Sequence, residues 1–369
     1  MYPETISLII IAAYFALHFY LLYGLKKSIS IIPDTDGLNS PVSVIVAGRN
    51  ESANIVNCIN SLKSSVISNI PAEFILVNDN SADNTFELMK KNTEDDSRFK
   101  VINSQLSSSA NLKGKANAID NAVQISTGDI IVSTDADCIV RKNWVYATSK
   151  YFKENTGMVC GFTVIRNDGS LFSIMQNIDW LYLLTLASAS SGLNKTMSCI
   201  GNNLSYSKKA YSKVGGYETI KFSVTEDLAL MRKINASKEF KILFPLDKNC
   251  LVSTEPCNNL KELFSQKRRW FRGGIGINLL GYVTGLCLFS VSLLFLFGIL
   301  FIDIKIFLIL VLIKLISEIL LIRNTFKIFE LRYLYKYYPL FMIYFALYGS
   351  ILPFTFIFQR SIKWKDRKF

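Results

Sequence analysis

In the run Ile131 to Val140, "IVSTDADCIV", Asp135 and Asp137 stand two residues apart among apolar neighbours. On a half-buried strand residues i and i+2 share a face, so both carboxylates would point the same way and repel each other. A divalent cation held between the pair and a second anion removes that conflict. Oxygen ligands select hard metals, and Mg2+ or Mn2+ commonly binds through one or two carboxylates together with substrate phosphates. A second acidic pair, Glu226 and Asp227, lies in "VTEDLAL", where Asp227 could serve as a general base or merely cap a helix behind Thr225. The chain has a single histidine, His18, inside an apolar stretch. Any soluble part therefore lacks a histidine base, a Ser/His/Asp triad and a histidine-ligated metal, and its chemistry must run on carboxylates, lysines, arginines and backbone. Seven cysteines without a CxxC pair argue against a zinc site and a regular disulfide framework.

The elements that would position these acids are set by periodicity. From Val42 to about Phe264, short apolar runs ("VSVIVAG", "EFILVND", "GDIIVSTDAD") alternate with helix-like stretches at Ser52 to Ser65, Asn84 to Asn92 and Lys115 to Ser126. Strands separated by helices imply βαβ units with right-handed crossovers and an α/β fold with a mostly parallel sheet. Ligands in such sheets bind at the carboxyl ends of the strands. Glu51 comes after the first apolar run, Asp79 after the second, and Asp135 and Asp137 after a later one.

Half of the 369 residues are hydrophobic, 13% are aromatic and the mean hydropathy is +0.28, values that point to membrane segments beside a globular part. Ser7 to Leu25 is long enough for a transmembrane helix. It lacks a basic leader and a small-residue cleavage site, so it reads as a retained anchor, and Lys26 and Lys27 place the succeeding residues in the cytoplasm. Leu279 to Phe301, Ile304 to Ile322 and Tyr338 to Phe358 are each long enough to span a hydrocarbon core of about 30 Å. The expected organisation is an anchor over 1–26, a linker over 27–40, a cytoplasmic α/β domain over 41–264, an interfacial segment over 265–277, and a membrane region with about three spans and a basic tail over 278–369. A net charge of +12 fits basic residues at a cytoplasmic membrane face. Those residues cluster near the spans and not in an aromatic-interleaved patch, so nucleic acid is not an expected partner. Lys314 and Glu318, four apart within a span, could line a lipid headgroup site or neutralise one another.

Six motifs, in order, resemble the membrane-integrated branch of the family-2 glycosyltransferases, of GT-A fold. "PVSVIVAGRNES" resembles that family's first strand and nucleotide loop, and "ILVNDNSADNT" its second-strand motif. "GKANAIDNA" is similar to its GK segment, "STDADC" to its DxD, "VTEDLAL" to its ED, and "QKRRW" to its QxxRW. The resemblance implies that Asp79, with Ala47, Arg49 and Glu51 nearby, contacts uridine. It implies that Lys115 offsets phosphate charge, and that Asp135 and Asp137 line the diphosphate with Asp137 as principal ligand of Mg2+ or Mn2+. Asp227 is implied as the base of an inverting transfer, with Glu226 raising its basicity by repulsion. Gln266, Arg269 and Trp270, and on the acceptor side Asn202, are implied to hold acceptor and diphosphate. Asn202 and Asn203 also read as turn residues, and Arg268, Arg269 and Arg272 as a headgroup anchor. The sequence departs from the pattern at Asn78, where the family usually has an acid, and at Gly48. The implied activity is transfer from a UDP-sugar to a lipid or lipid-linked acceptor at the cytoplasmic face of a bacterial-type membrane. A processive polysaccharide synthase and an inactive nucleotide-binding scaffold are the alternatives.

Overall fold

The structure is a computed structural model that describes residues 3–34, 40–67, 70–358, 363–364 and 367–368. In chain order its elements are α1 (Pro3–Ile29), β1 (Val42–Gly48), α2 (Ile55–Lys63), β2 (Ala72–Asn78), α3 (Thr85–Lys91), β3 (Phe99–Asn103), α4 (Gly114–Ile125), β4 (Ile130–Asp135), β5 (Ile139–Val140), α5 (Trp144–Ser149), β6 (Thr156–Cys160), β7 (Thr163–Ile165) and α6 (Leu171–Gly192). Next come β8 (Leu204–Ser207), α7 (Lys208–Lys213), α8 (Glu226–Ser237), β9 (Lys241–Leu243), β10 (Val252–Thr254), α9 (Leu260–Gly273), α10 (Leu279–Phe297), α11 (Ile304–Ile328) and α12 (Tyr338–Phe358), with short strands at Lys363–Trp364 and Arg367–Lys368.

The chain divides into two compact units. One comprises residues 31–164, 199–255 and 363–369, the other 1–30, 165–198 and 256–362. Within the range 41–264 expected as one domain, α6 and the stretch from Pro256 onward group with the long apolar helices. The basic tail beyond α12 and the middle of the expected linker lie largely outside the described residues.

The first unit carries a seven-stranded sheet of order β3-β2-β1-β4-β8-β6-β9. Strands β3, β2, β1 and β4 are mutually parallel, β8 runs antiparallel to both neighbours, and β9 is parallel to β6. β1 and β4 are buried along nearly their whole length, as expected for a parallel sheet covered on both faces. Val42, Val44, Val46, Phe74, Leu76 and Val132 pack with Ile55, Ile59 and Leu62 of α2 and Trp144 of α5. The chain runs outward from β1 to β2 and β3, then returns to place β4 on the other side of β1. That reversal makes the β1/β4 edge a topological switch point, and ligand crevices in α/β sheets form at its carboxyl end. Register puts Ala47 opposite both Val77 and Asp135, and Gly48 opposite Asn78, so three strand ends are level there.

The opposite end of the sheet is tied by Glu73. Its Oε1 accepts from Ser43 Oγ at 2.6 Å and from Thr127 N and Oγ1 at 2.6 and 2.8 Å, and its Oε2 pairs with Lys100 Nζ at 2.7 Å. Burial opposes ionisation, but those bonds outweigh it and hold the carboxyl at about 2. The unfolded value is about 4.3, so the stability from this group is complete above that pH and is lost as pH falls toward about 2. Glu73→Gln is expected to cost about 1 kcal/mol at neutral pH and to flatten that part of the acid-unfolding profile. Unfolding tracked by circular dichroism from pH 6 to pH 2 checks it; an unchanged acid limb counts against the tie.

In the second unit, α1, Leu279–Leu300 (α10 with the turn that follows it) and Arg332–Phe354 are long and apolar enough to cross a membrane. α11, expected as a further span, is not among these candidates; Lys314 and Glu318 lie within it. They resolve toward mutual neutralisation: Lys314 Nζ lies 2.6 Å from Glu318 Oε1, which also accepts from Tyr14 OH. Tyr182 OH lies 3.2 Å from Tyr14 OH and 2.9 Å from His18 Nε2, so the lone histidine is a buried packing residue. Each charge has a partner, without which its burial would be costly. Gly24 of α1 and Gly192 of α6 meet so closely that a Cβ on either would strike backbone of the other helix.

Candidate active site

The nucleotide-side residues gather where β1 and β2 end. Arg49 Nη1 donates to the carbonyls of Asp79 and Asn80 at 2.9 and 2.7 Å, and Asp79 N donates to Gly48 O at 2.8 Å. The two loops interlock further, since Asn50 N donates to Ser81 Oγ at 3.0 Å and Asn50 Oδ1 accepts from Ala82 N at 2.8 Å. Asn50 and Asn80 both adopt φ of 53°, a left-handed conformation that asparagine tolerates better than most residues. Glu51 is buried, with its N–H on Thr85 Oγ1 at 2.8 Å and its Oε2 accepting from Asn54 Nδ2 at 3.0 Å. Asp79 and Glu51 thus sit with Ala47 and Arg49 on two interlocked loops.

Two details of these loops go beyond the sequence motifs. Asp83 accepts from Ser52 N at 3.1 Å and from Thr85 N and Oγ1, and despite the opposing effect of burial these bonds bring its carboxyl down to about 2. It clasps the two loops, and its place two residues before Thr85 in "SADNT" is the local signal. Asn78 has a reason to be an amide: Nδ2 donates to Asn103 Oδ1 of β3 at 2.8 Å, while Oδ1 accepts from Ser81 N at 3.2 Å. A carboxylate could not make the first of these bonds.

The acidic pair differs from the strand-face picture. β4 ends at Asp135, and Asp137 lies in the turn that leads to β5. β4 is also buried rather than half-exposed, so strict alternation of faces does not bring the pair together; the turn does. Burial and then the negative charge of Asp135 raise the Asp137 carboxyl above its usual range. Asp135 itself forms an ion pair with Lys115 Nζ, whose ammonium also lies 3.4 Å from Glu226 Oε1. Burial would lower the Lys115 pKa, but Asp135 and Glu226 outweigh it and hold the amine above its usual range. Lys115 therefore joins three elements: the start of α4, the end of β4 and the start of α8. Glu226 spends its charge on Lys115, which offsets the repulsion of Asp227 expected from sequence.

Asp227 occupies the first turn of α8, and its Oδ1 accepts from Leu228 N at 2.8 Å. Thr225 is the N-cap without a side-chain capping bond, so Asp227 is inside the helix and not its cap. Gly201 lies against it. A Cβ there would stand 3.1 Å from Asp227 Oδ2, tight enough to displace the carboxylate by a few tenths of an ångström. Gly201→Ala is expected to lower turnover about tenfold through that displacement, with nucleotide affinity kept within about twofold. Steady-state kinetics beside UDP titration checks it, and unchanged turnover refutes the contact's importance.

Asn202, expected on the acceptor side or as a turn residue, lies in the short turn Gly201–Asn203 that leads into β8. It is 6% exposed, its Oδ1 accepts from Thr163 Oγ1 at 2.8 Å and its carbonyl accepts from Thr134 Oγ1 at 2.8 Å. Asn203 is bonded likewise to Phe162 O, Cys250 O and Trp144 Nε1. Both are internal ties of the sheet. Gln266, Arg269 and Trp270 lie on α9, in the second unit, behind a well-formed cap in which Asn259 Oδ1 accepts from Glu262 N at 3.0 Å.

A level set of parallel strand ends, with a carboxylate pair and a largely enclosed lysine between acids beyond the switch point, belongs to a sheet of the GT-A type. The model of "Glycosyl transferase family 2" matches residues 43–215, and that of "Glycosyl transferase family group 2" matches residues 130–358, more than half of the chain. The chain belongs to the family-2 glycosyltransferases. It is similar to a poly-beta-1,6-N-acetyl-D-glucosamine synthase of Staphylococcus aureus (strain COL), at 28% identity over 74% of this chain and 64% of that protein. A synthase of the same description from Staphylococcus epidermidis is 26% identical over 63% of this chain and 54% of its own length. The chain thus spans less than two thirds of the curated relatives it matches. Among solved structures, a mannosyltransferase from Pyrobaculum calidifontis, in complex with GDP-Man and Mn2+, is similar in fold, with a TM-score of 0.61 and 16% identity, covering 94% of this chain and 98% of that one.

Proposed function

We propose that the chain is a metal-dependent, inverting glycosyltransferase that moves a sugar from a UDP-sugar to a lipid-linked or glycan acceptor at a membrane face. The observation that carries this reading is the hub of Lys115, Asp135 and Glu226 beside Asp137 and Asp227, at the end of the sheet where α/β folds bind nucleotides. Asp79, Glu51 and Arg49 frame the uridine. Lys115 is a permanent cation for phosphate oxygens, and its pairing with Asp135 keeps that carboxylate from repelling the diphosphate.

Asp137 and Asp135 suit a hard cation. Asp137 is a half-buried carboxyl whose charge is disfavoured by its surroundings, the condition a cation relieves. Mg2+ and Mn2+ commonly bind through one or two carboxylates together with substrate phosphate oxygens. When bound, Mg2+ or Mn2+ would neutralise charge on the departing diphosphate. Asp227 takes the proton of the acceptor hydroxyl. That oxygen forms its bond to the anomeric carbon from the face opposite the diphosphate, and the pair of the breaking C–O bond leaves with UDP.

The relatives' printed name favours N-acetylglucosamine as the sugar and makes processive addition the second reading. The test is to supply the purified protein with radiolabelled UDP-N-acetylglucosamine, Mn2+ and a membrane lipid extract. Label in a small organic-soluble product supports single addition, and label in a large polymer supports processive synthesis. Bound UDP with no transfer refutes both.

A further inference from the structure

We infer that Asp179 and Lys267 are positioning residues for Trp270, and through it for the saccharide end of the acceptor; this rests on the acceptor role proposed for "QKRRW". Asp179 of α6 is fully buried and Lys267 of α9 is 3% exposed. Asp179 Oδ2 forms an ion pair with Lys267 Nζ, and its Oδ1 accepts from Tyr348 OH of α12 at 2.5 Å. The same ammonium stands 4.4 Å from the centre of the Trp270 ring and 5.4 Å from that of Tyr348. Trp180, the residue after Asp179, meets Trp270 edge to face at 5.1 Å between centroids and 61° between planes. One carboxylate therefore orders three helices around one indole. Its charge fixes the ammonium, the ammonium sits over the ring, and the neighbouring tryptophan fixes the ring's tilt.

Packing alone would not require ions here. A buried ion pair is often replaceable by neutral residues of similar volume without loss of stability, whereas removing one partner strands the other charge. A cation over an aromatic ring, by contrast, holds one orientation of that ring. In a sugar-binding role the orientation of the indole matters, because saccharides are held by stacking on a face set at a fixed angle and a small misplacement costs much of the rate.

Three variants of the full-length protein in lipid nanodiscs test this: Asp179→Asn, the double variant Asp179→Asn with Lys267→Met, and Lys267→Arg. Each is measured for melting temperature, for transfer to a β-1,6-linked N-acetylglucosamine oligosaccharide, for UDP affinity, and for acrylamide quenching of the Trp270 signal, obtained by difference from Trp270→Phe. The single Asp179→Asn variant is expected to melt well below the parent. The double variant is expected to regain the melting temperature yet keep an acceptor KM raised about tenfold, with UDP affinity within about twofold and altered Trp270 quenching. Lys267→Arg, which keeps a cation over the ring, is expected to recover most of the acceptor KM. A double variant that recovers melting, acceptor KM and quenching together overturns the inference, because the pair would then be structural only. Should the parent protein transfer to no saccharide, the quenching arm still decides the positioning of Trp270, and the failure lies with the proposed function.

Discussion

Asp227→Asn is expected to lower sugar transfer by about 10³-fold while UDP and metal bind as in the parent protein, as expected when a general base is lost. The substitution keeps the shape and keeps an oxygen for the Leu228 N–H, which the Oδ1 contact at 2.8 Å needs. It removes the negative charge and with it the capacity to take a proton. Asp227 is inside α8 and not its cap, so the helix start does not depend on it. The variant should melt within a few degrees of the parent. Turnover of radiolabelled donor with parallel UDP titration reads both quantities. Substantial retained transfer removes Asp227 from the role of base.

Asp137→Ala is expected to act on a different quantity. It should abolish the enhancement of UDP affinity by Mn2+, leaving the weak metal-free binding expected of the proposed contacts with Asp79, Arg49 and Lys115. Asp135→Asn should be milder in metal dependence, since Asp135 is engaged by Lys115. It would instead loosen Lys115, and turnover would fall more than metal affinity. Isothermal titration of UDP with and without Mn2+ separates the two variants. Equal behaviour of the pair contradicts the division between a metal carboxylate and a lysine-held one.

Much of the first unit is legible in the sequence because its physical signals are local. The buried parallel strands appear as short apolar runs, and the acids sit immediately beyond them, so "VSVIVAGRNES" and "GDIIVSTDAD" announce both the element and its functional end. The position of Asp137 escapes the strand pattern for a local reason too: the strand stops at Asp135, and a two-residue difference moves a side chain from a pleat to a turn. Asn202 shows the other limit. Asn202 stands in a glycine-bearing turn, as its sequence suggests, but only its bonds to Thr163 and Thr134 make it a buried tie there.

The membership of α6 is not legible. "LFSIMQNIDWLYLLTLASASSG" is apolar around nearly its whole circumference, and such a helix reads equally well as part of a soluble core. Its partner for Asp179 lies 88 residues further along the chain, at Lys267, beyond the reach of periodicity or spacing. The same holds for Lys314 and Glu318, whose pairing is readable at i, i+4 but whose third partner, Tyr14, is at the other end of the sequence. Polar groups buried among apolar helices are placed by long-range contacts, which one sequence does not display.

The most direct test of the central claim is the stereochemical course of the metal-dependent transfer by the purified full-length protein in nanodiscs. Given UDP-N-acetylglucosamine, which is α-linked at its anomeric carbon, with Mn2+ and acceptor, the product analysed by nuclear magnetic resonance is predicted to carry a β-linkage. Transfer is predicted to fall to a trace in the Asp227→Asn protein and to stop in the presence of a chelator. An α-linked product, or transfer that persists near the parent rate without Asp227 or without a divalent cation, contradicts the account.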